Sequence, residues 1–176
     1  MEGPAEIDAR RVDAVVTSLC ESVGGEWLLV GGALVALWLE PRRVTEDIDV
    51  VSLRGSADDR LALMRLASDL GLPVEAVNSA ADFFVRRIPG WDRELELLRE
   101  GARGRVHRPN ATLFLLLKIP RLSATDLDDC TAAIERARRD GVAIDVGRVL
   151  AALDALPPAP DRAVEQRRRA LRDALR

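Results

Sequence analysis

The stretch WLLVGGALVALWLEPRRVTEDIDV, residues 27–50, decides the fold of this chain. It begins with a short apolar run at 27–30, which predicts a buried strand. Gly31-Gly32 then predicts a tight turn, because two adjacent glycines interrupt any regular element. Residues 33–39 have helix-forming composition and precede a proline. The order strand, glycine turn and helix is typical of an α/β core.

The segment that follows, residues 45–53, alternates acidic and β-branched residues and predicts a second strand. Asp47 and Asp49 are two positions apart, so on a strand both project from one face. Two such carboxylates repel each other and persist most easily with a divalent cation between them. Oxygen ligands without nearby His or Cys favour Mg2+ or Mn2+. The alternative is an exposed edge strand that carries two solvated acids.

The glycine pair has a second interpretation besides a plain turn. A glycine turn between a strand and a helix N-terminus lets backbone N–H groups approach a phosphate. Taken alone, Gly31-Gly32 favours the plain turn. The acidic strand follows within about fifteen residues, so a phosphate-binding turn and a metal-binding pair are predicted in adjacent elements.

Two motifs resemble a known family. LLVGGALVAL at 28–37, followed by RVTEDIDVV at 43–51, resembles the signature of the DNA polymerase β-like nucleotidyltransferase superfamily. The spacing between its halves resembles the branch found in abortive-infection and toxin–antitoxin systems. LLLKIPRLSATDLDD at 115–129 resembles a later motif of that branch. The resemblance covers roughly residues 25–135.

The resemblance implies a set of site residues. Gly31, Gly32 and Lys118 would hold the phosphates of a nucleoside triphosphate, and Arg43 and Thr45 would shape the entry to the strand. Asp47 and Asp49 would bind Mg2+ or Mn2+. Members of the superfamily add a third carboxylate from a neighbouring strand. We expect Asp82 in this role, at the start of a predicted strand over 82–88; the alternatives are Glu75, Glu94 and Glu96.

Lys118 is the only lysine among 26 basic residues. It follows a run of apolar residues at the end of a predicted helix, where a surface charge in this chain would be arginine. We therefore expect it to meet an anion, either a triphosphate or an acid such as Asp126. Arg121, Asp126 and Asp129 complete the second motif. Helix capping and a structural salt bridge are their alternative roles.

Composition limits the classes of protein to consider. The chain is 48% hydrophobic and 31% charged, which is typical of a globular domain and excludes wholesale disorder. A net charge of −3 argues against wholesale nucleic-acid binding. The most apolar stretch is too short for a membrane span, and residues 1–11 lack the apolar region of a secretory signal. We expect a cytoplasmic protein with no membrane association, whose two cysteines are buried thiols.

The predicted architecture is α/β, a small mixed sheet flanked by helices with a helical C-terminal part. Residues 1–109 form the nucleotidyltransferase-like core, with an N-terminal helix over 5–23 and a later helix over 57–70. Short candidate strands lie at 74–77, 82–88 and 103–107, and residues 94–98 suit either a strand or a helix. Helices are predicted at 110–119, 125–140 and 145–156 and over the last sixteen residues.

The resemblance implies two functions, and the arginines of the last helix suggest a third. The leading hypothesis is Mg2+-dependent transfer of a nucleoside monophosphate to a tRNA end, a protein hydroxyl or a small molecule, in a toxin–antitoxin or phage-defence setting. The second is a catalytically silent protein of the same fold, acting as an antitoxin or binding subunit. The third is RNA or acidic-protein binding by the arginines of the last helix, whose alternative is a solvated face.

Overall fold

A computed structural model describes residues 6–55 and 58–176, in two compact units. The first unit ends at Pro109 and the second is Asn110–Arg176. The first contains a mixed sheet with helices and the second is helical, so the predicted α/β class with a helical C-terminal part is confirmed. The starts of the helices predicted over 5–23 and 57–70 lie outside the described residues.

The first unit alternates helices and strands. Its elements in chain order are α1 Ala9–Ser18, extended by a π-helical turn Leu19–Val23, β1 Gly25–Leu29, α2 Gly31–Trp38, β2 Ile48–Ser52, α3 Asp59–Asp69, β3 Val77–Asn78, α4 Asp82–Arg86, a 3-10 turn Trp91–Arg93, β4 Leu95–Glu100 and β5 Gly104–Pro109. The quoted stretch therefore supplies most of β1, all of α2 and the start of β2, in the predicted order. The glycine pair, predicted as a turn before the helix, forms the first two residues of α2.

The strands pair in the order β3-β2-β1-β5-β4. β1 is antiparallel to β2, with Leu29 opposite Val50, and parallel to β5, with Leu28 opposite His107. β3 runs parallel to β2, and β4 runs antiparallel to β5. Leu28, Leu29 and Val50 are fully buried, so the centre of the sheet is the core of this unit.

The second unit is built from helices that begin at side-chain caps. They are α5 Ala111–Lys118, α6 Ala124–Asp140, α7 Val146–Asp154 and α8 Arg162–Ala174. Asn110, Ser123, Asp145 and Asp161 each accept a hydrogen bond from a first-turn N–H. These caps fix the helix starts close to the predicted positions.

Two strand predictions are wrong. The segment predicted as a strand over 82–88 contains helix α4, because Asp82 pairs with Arg86 one helical turn later and only Val85 is buried. Phe83 and Phe84, which suggested a strand, are 60% and 61% exposed. The strand predicted at 74–77 is reduced to β3, Val77–Asn78.

The structure also bears on the expected lack of a membrane span and on the two cysteines. No helix within the described ranges is long and apolar enough to cross a membrane. Cys20 and Cys130 are both free and buried, as expected. Burial raises the pKa of both thiols, that of Cys130 to about 12.

Candidate functional site

The glycine pair forms the first two residues of α2, directly after Val30, and we call this segment the glycine turn. Gly31 has φ +70°, in the left-handed region that a side chain disfavours. Val30 is the N-cap of α2, and among the described residues no side chain caps this helix. Backbone N–H groups in the first turn of a helix have no partner within the helix, so those of α2 could donate to an anion such as a phosphate.

The glycine turn lies directly against the acidic strand. A Cβ atom placed on Gly31 would lie 2.8 Å from Oδ2 of Asp49, and one placed on Gly32 would lie 2.7 Å from Oγ1 of Thr45. The backbone N–H of Val30 also donates to the carbonyl oxygen of Asp49 at 3.1 Å. A side chain at either glycine would have to displace Asp49 or Thr45, so the two halves of the first motif are in contact.

Thr45 and Asp47 lie just before β2 rather than within it. The backbone groups of Thr45 form a bridge with those of Ile7, with N···O distances of 2.8 and 3.0 Å. The Thr45 hydroxyl donates to the carbonyl oxygen of Asp47 at 3.1 Å. Asp47 is exposed, whereas Asp49 is half-buried in β2. The predicted strand over 45–53 is thus shorter, Ile48–Ser52.

Arg43 lies in the loop between α2 and β2. Its backbone N–H donates to the carbonyl oxygen of Glu40 at 2.9 Å, and the residue is half-buried. This turn leads the chain into Thr45, whose contact with Gly32 is described above. A role of Arg43 toward nucleotide stays a prediction.

The expected third carboxylate does not join the pair. Asp82 begins α4 and its Oδ1 accepts from Arg86 Nε at 2.8 Å. Across residues 6–55 and 58–176, no group of three or more carboxylate, histidine or cysteine side chains is placed to hold a metal ion. Neither Asp82 nor the alternatives Glu75, Glu94 and Glu96 therefore forms such a group with Asp47 and Asp49.

The residue that sequence reasoning missed is Asn78. β3 lies beside β2, and the parallel register makes Asn78 the partner of Asp49. Its amide is engaged locally, since Oδ1 accepts from the Ala80 N–H at 2.9 Å and Nδ2 donates to the Glu75 carbonyl oxygen at 3.4 Å. The pairing of β3 with β2 is the signal that reveals this position, and the sequence alone does not supply it.

The second motif forms a compact ion-pair cluster within the second unit, which we call the Lys118 cluster: Lys118, Arg121, Ser123, Asp126 and Asp129. Lys118 Nζ donates to Asp126 Oδ1 at 3.1 Å and to Asp129 Oδ2 at 2.8 Å. The three side chains are 11%, 0% and 3% exposed. Lys118 thus meets an acid, one of its two expected partners. A contact with triphosphate stays a prediction.

A tight connection between α5 and α6 brings these side chains together. Leu122 has φ +36°, which is unusual for a residue with a branched side chain, and is fixed by burial at 1% exposure. Its N–H donates to the Lys118 carbonyl oxygen at 2.9 Å. Ser123 and Asp126 then form a reciprocal capping box at the start of α6. Capping and salt bridging, both foreseen as alternatives, coexist at Asp126.

The electrostatics of this cluster centre on Asp126. Burial alone would raise the pKa of Asp126, but hydrogen bonds from Arg121 and Ser123 and the charge of Lys118 outweigh it. They hold the pKa of that carboxyl well below its usual range. Asp126 is therefore ionised at neutral pH, and its bond to Lys118 ties α5 to α6.

The arginines of α8 are largely used within the second unit. Arg167 Nε donates to the Leu122 carbonyl oxygen at 2.7 Å, and Arg168 Nη1 donates to the Pro157 carbonyl oxygen at 2.7 Å. Arg172 pairs with Asp154. These contacts fit a helix that is docked by its arginines, and they weaken the hypothesis that the same arginines form a free nucleic-acid surface.

Comparison of the chain with protein-family models, with curated proteins and with solved structures found no match. The resemblance of the two motifs therefore stays an expectation about family. Any function must be argued from the residues that the fold brings together, which are the glycine turn with Asp49 and Thr45, and the Lys118 cluster.

Proposed function

We propose that this protein binds a nucleoside triphosphate with Mg2+ at the glycine turn and transfers its nucleoside monophosphate to an acceptor. The observation that carries the proposal is the contact of Gly31 with Asp49, where a Cβ would lie 2.8 Å from the carboxylate oxygen. This contact joins a helix N-terminus, which favours anions, to a carboxylate, which favours cations. A metal–triphosphate complex carries both charges.

The donor set fits a hard divalent cation. Asp47 and Asp49 offer carboxylate oxygens and Thr45 a hydroxyl, with no thiolate or imidazole in this segment. Such ligands suit Mg2+ or Mn2+ and leave room for phosphate oxygens and water. Bound there, the cation would neutralise charge on the phosphates.

The chain's own residues have separate roles in this proposal. Gly31 and Gly32 would present backbone N–H groups to the phosphates, and their lack of a Cβ leaves room for the side chains of Asp49 and Thr45. Thr45, held by its bridge to Ile7, would fix the approach of Asp47 through its hydroxyl contact. Arg43 would lie at the entry to this segment. The acceptor remains a tRNA end, a protein hydroxyl or a small molecule.

A second candidate function is nucleotide binding without turnover, as an antitoxin or binding subunit. It is favoured by a specific observation: within the described ranges, no third carboxylate joins Asp47 and Asp49. Two-metal group transfer relies on ligands that hold both cations. A toxin–antitoxin or phage-defence setting suits either candidate and follows only from the resemblance.

The two candidates are separated by a labelling experiment. Purified protein is incubated with each α-labelled nucleoside triphosphate, Mg2+ and either total tRNA or cell lysate, and transfer of label to any macromolecule or small molecule is followed. The wild type should label an acceptor, and D47N and D49N should not. In parallel, equilibrium dialysis with the same nucleotides measures binding.

The matched control is E46Q, which removes one negative charge from the exposed residue directly before Asp47. It should retain both binding and transfer. Binding that D47N and D49N abolish, without any transfer by the wild type, would favour the silent candidate. Absence of nucleotide binding by the wild type would refute both.

A further inference from the structure

Position 78 is the place on the neighbouring strand where a further metal ligand would belong. β2 and β3 are parallel, with Ile48 opposite Val77 and Asp49 opposite Asn78. Partners in a parallel pair project from the same face, and adjacent strands lie about 4.8 Å apart. A carboxylate at position 78 would therefore be on the same face of the sheet as that of Asp49, one strand away.

The residue at this position carries no charge. The Asn78 amide oxygen accepts the Ala80 N–H at 2.9 Å, and its amide nitrogen donates to the Glu75 carbonyl oxygen at 3.4 Å. The amide thus closes the turn that leads from β3 toward α4. The Asn78 amide therefore bonds the backbone. Aspartate at this position would keep the oxygen that accepts from Ala80 and would add a negative charge.

Charge balance connects this observation to metal number. Asp47 and Asp49 together carry two negative charges, which one divalent cation neutralises. A second divalent cation at the same site needs further negative ligands, because two cations held a few ångströms apart repel each other. The phosphates supply ligands to the cation that they bring, whereas a further cation depends more on carboxylates of the protein.

We propose that Asn78 restricts this site to one divalent cation, the one that accompanies a bound nucleoside triphosphate, and that aspartate at position 78 would admit a second. The inference rests on the proposed function in its metal–nucleotide binding, which both candidate functions share. It favours the candidate without turnover, because two-metal group transfer needs a second cation. It goes beyond that proposal by naming the residue that sets the number of cations.

The test counts Mn2+ ions, a paramagnetic substitute for Mg2+. Free and bound Mn2+ are measured by electron paramagnetic resonance during titration of the full chain with a saturating, non-hydrolysable α,β-methylene triphosphate analogue. We expect about one bound Mn2+ per chain for the wild type and about two for N78D. N78A should remain at about one, because it adds no charge.

The matched control is N110D. Asn110 is the only other asparagine in the chain, and its side-chain oxygen also accepts a backbone N–H, that of Leu113. N110D therefore makes the same chemical and charge change at another capping position. It should bind the same number of Mn2+ ions as the wild type. Circular dichroism and thermal unfolding check that every variant is folded before the titration.

Each result decides between the proposals. Two Mn2+ ions bound by the wild type, or one bound by folded N78D, would overturn the role of Asn78 while leaving nucleotide binding intact. An equal gain in N78D and N110D would also overturn it. A wild type that binds neither the analogue nor Mn2+ in its presence would refute the proposed function, and the inference with it.

Discussion

Arg121 forms two hydrogen bonds of 2.7 Å with Asp126, from Nε to Oδ2 and from Nη2 to Oδ1. The arginine side chain is 74% exposed, whereas the aspartate is fully buried. Lys118 bonds the same carboxylate. Asp126 therefore connects an exposed cation to a buried one, and the stability of the second unit should depend on it.

Removing the Asp126 carboxylate should destabilise the second unit. D126A leaves Lys118 and Arg121 without their shared partner, and loss of one member of a buried ion pair costs about 3–5 kcal/mol. The measurement is denaturant unfolding followed by far-UV circular dichroism, which reports on helix. D128A, which changes an exposed acid of the same helix, should cost under about 0.5 kcal/mol. Equal losses would contradict the structural role of Asp126.

The contribution of Asp126 should depend on pH. Its pKa is lower in the folded chain than the usual value, near 4, of an unfolded aspartate. The added stability is therefore complete above the unfolded pKa and is lost progressively as pH falls toward the folded one. The difference in unfolding free energy between wild type and D126A should be smaller at pH 3 than at pH 6. A constant difference would argue that the carboxyl acts only through packing.

Arginine should not replace the single lysine. Lys118 Nζ bonds two carboxylates in a space that is 11% exposed and lies 5.7 Å from the Phe114 ring centroid. K118R adds bulk there and should cost about 1–3 kcal/mol, and K118M, which removes the charge, about 3–5 kcal/mol. R136K, the reverse exchange in an exposed pair, should be nearly neutral. Unchanged stability in K118R would refute the requirement for a compact ammonium.

Cys130 should resist alkylation in the folded protein. It is fully buried in α6, and burial raises the pKa of its thiol to about 12. At pH 8 this lowers the thiolate fraction about a thousandfold relative to an ordinary thiol. Iodoacetamide labelling followed by peptide mass spectrometry should show no modification of Cys130 in the native wild type and full modification in denaturant. In native D126A, Cys130 should be modified faster than in the wild type. Labelling of the native wild type at the rate of a free thiol would contradict its burial.

Replacing Gly31 by alanine should reduce stability more than the same replacement at another glycine of similar φ. G31A combines the strain of φ +70°, about 1–2 kcal/mol, with the 2.8 Å contact to Asp49. G71A, at φ +65° with nothing within 4 Å of its Cβ position, carries the strain alone. Tryptophan fluorescence follows the first unit, which contains all three tryptophans. Equal losses of stability in G31A and G71A would show that the Asp49 side chain moves aside at no measurable cost.

Much of the fold could be predicted from local pattern. The run through Gly31-Gly32 gave strand, turn and helix, and the periodicity and caps of residues 110–176 gave the second unit, since these signals act between near neighbours. The strand predicted over 82–88 failed because aromatic residues there suggested burial. In the structure Phe83 and Phe84 are exposed, and an ion pair one turn apart supports a helix instead.

The sequence by itself determined which residues could do chemistry: the glycine pair, the Asp47 and Asp49 pair, and one lysine in an arginine-rich chain. Only the tertiary structure decided their partners. It placed Asp49 against Gly31 and beside Asn78, and it joined Lys118 to Asp126 and Asp129. The physical reason is that strand register and the turn at Leu122 are set by burial of side chains distant along the chain, which no local pattern specifies.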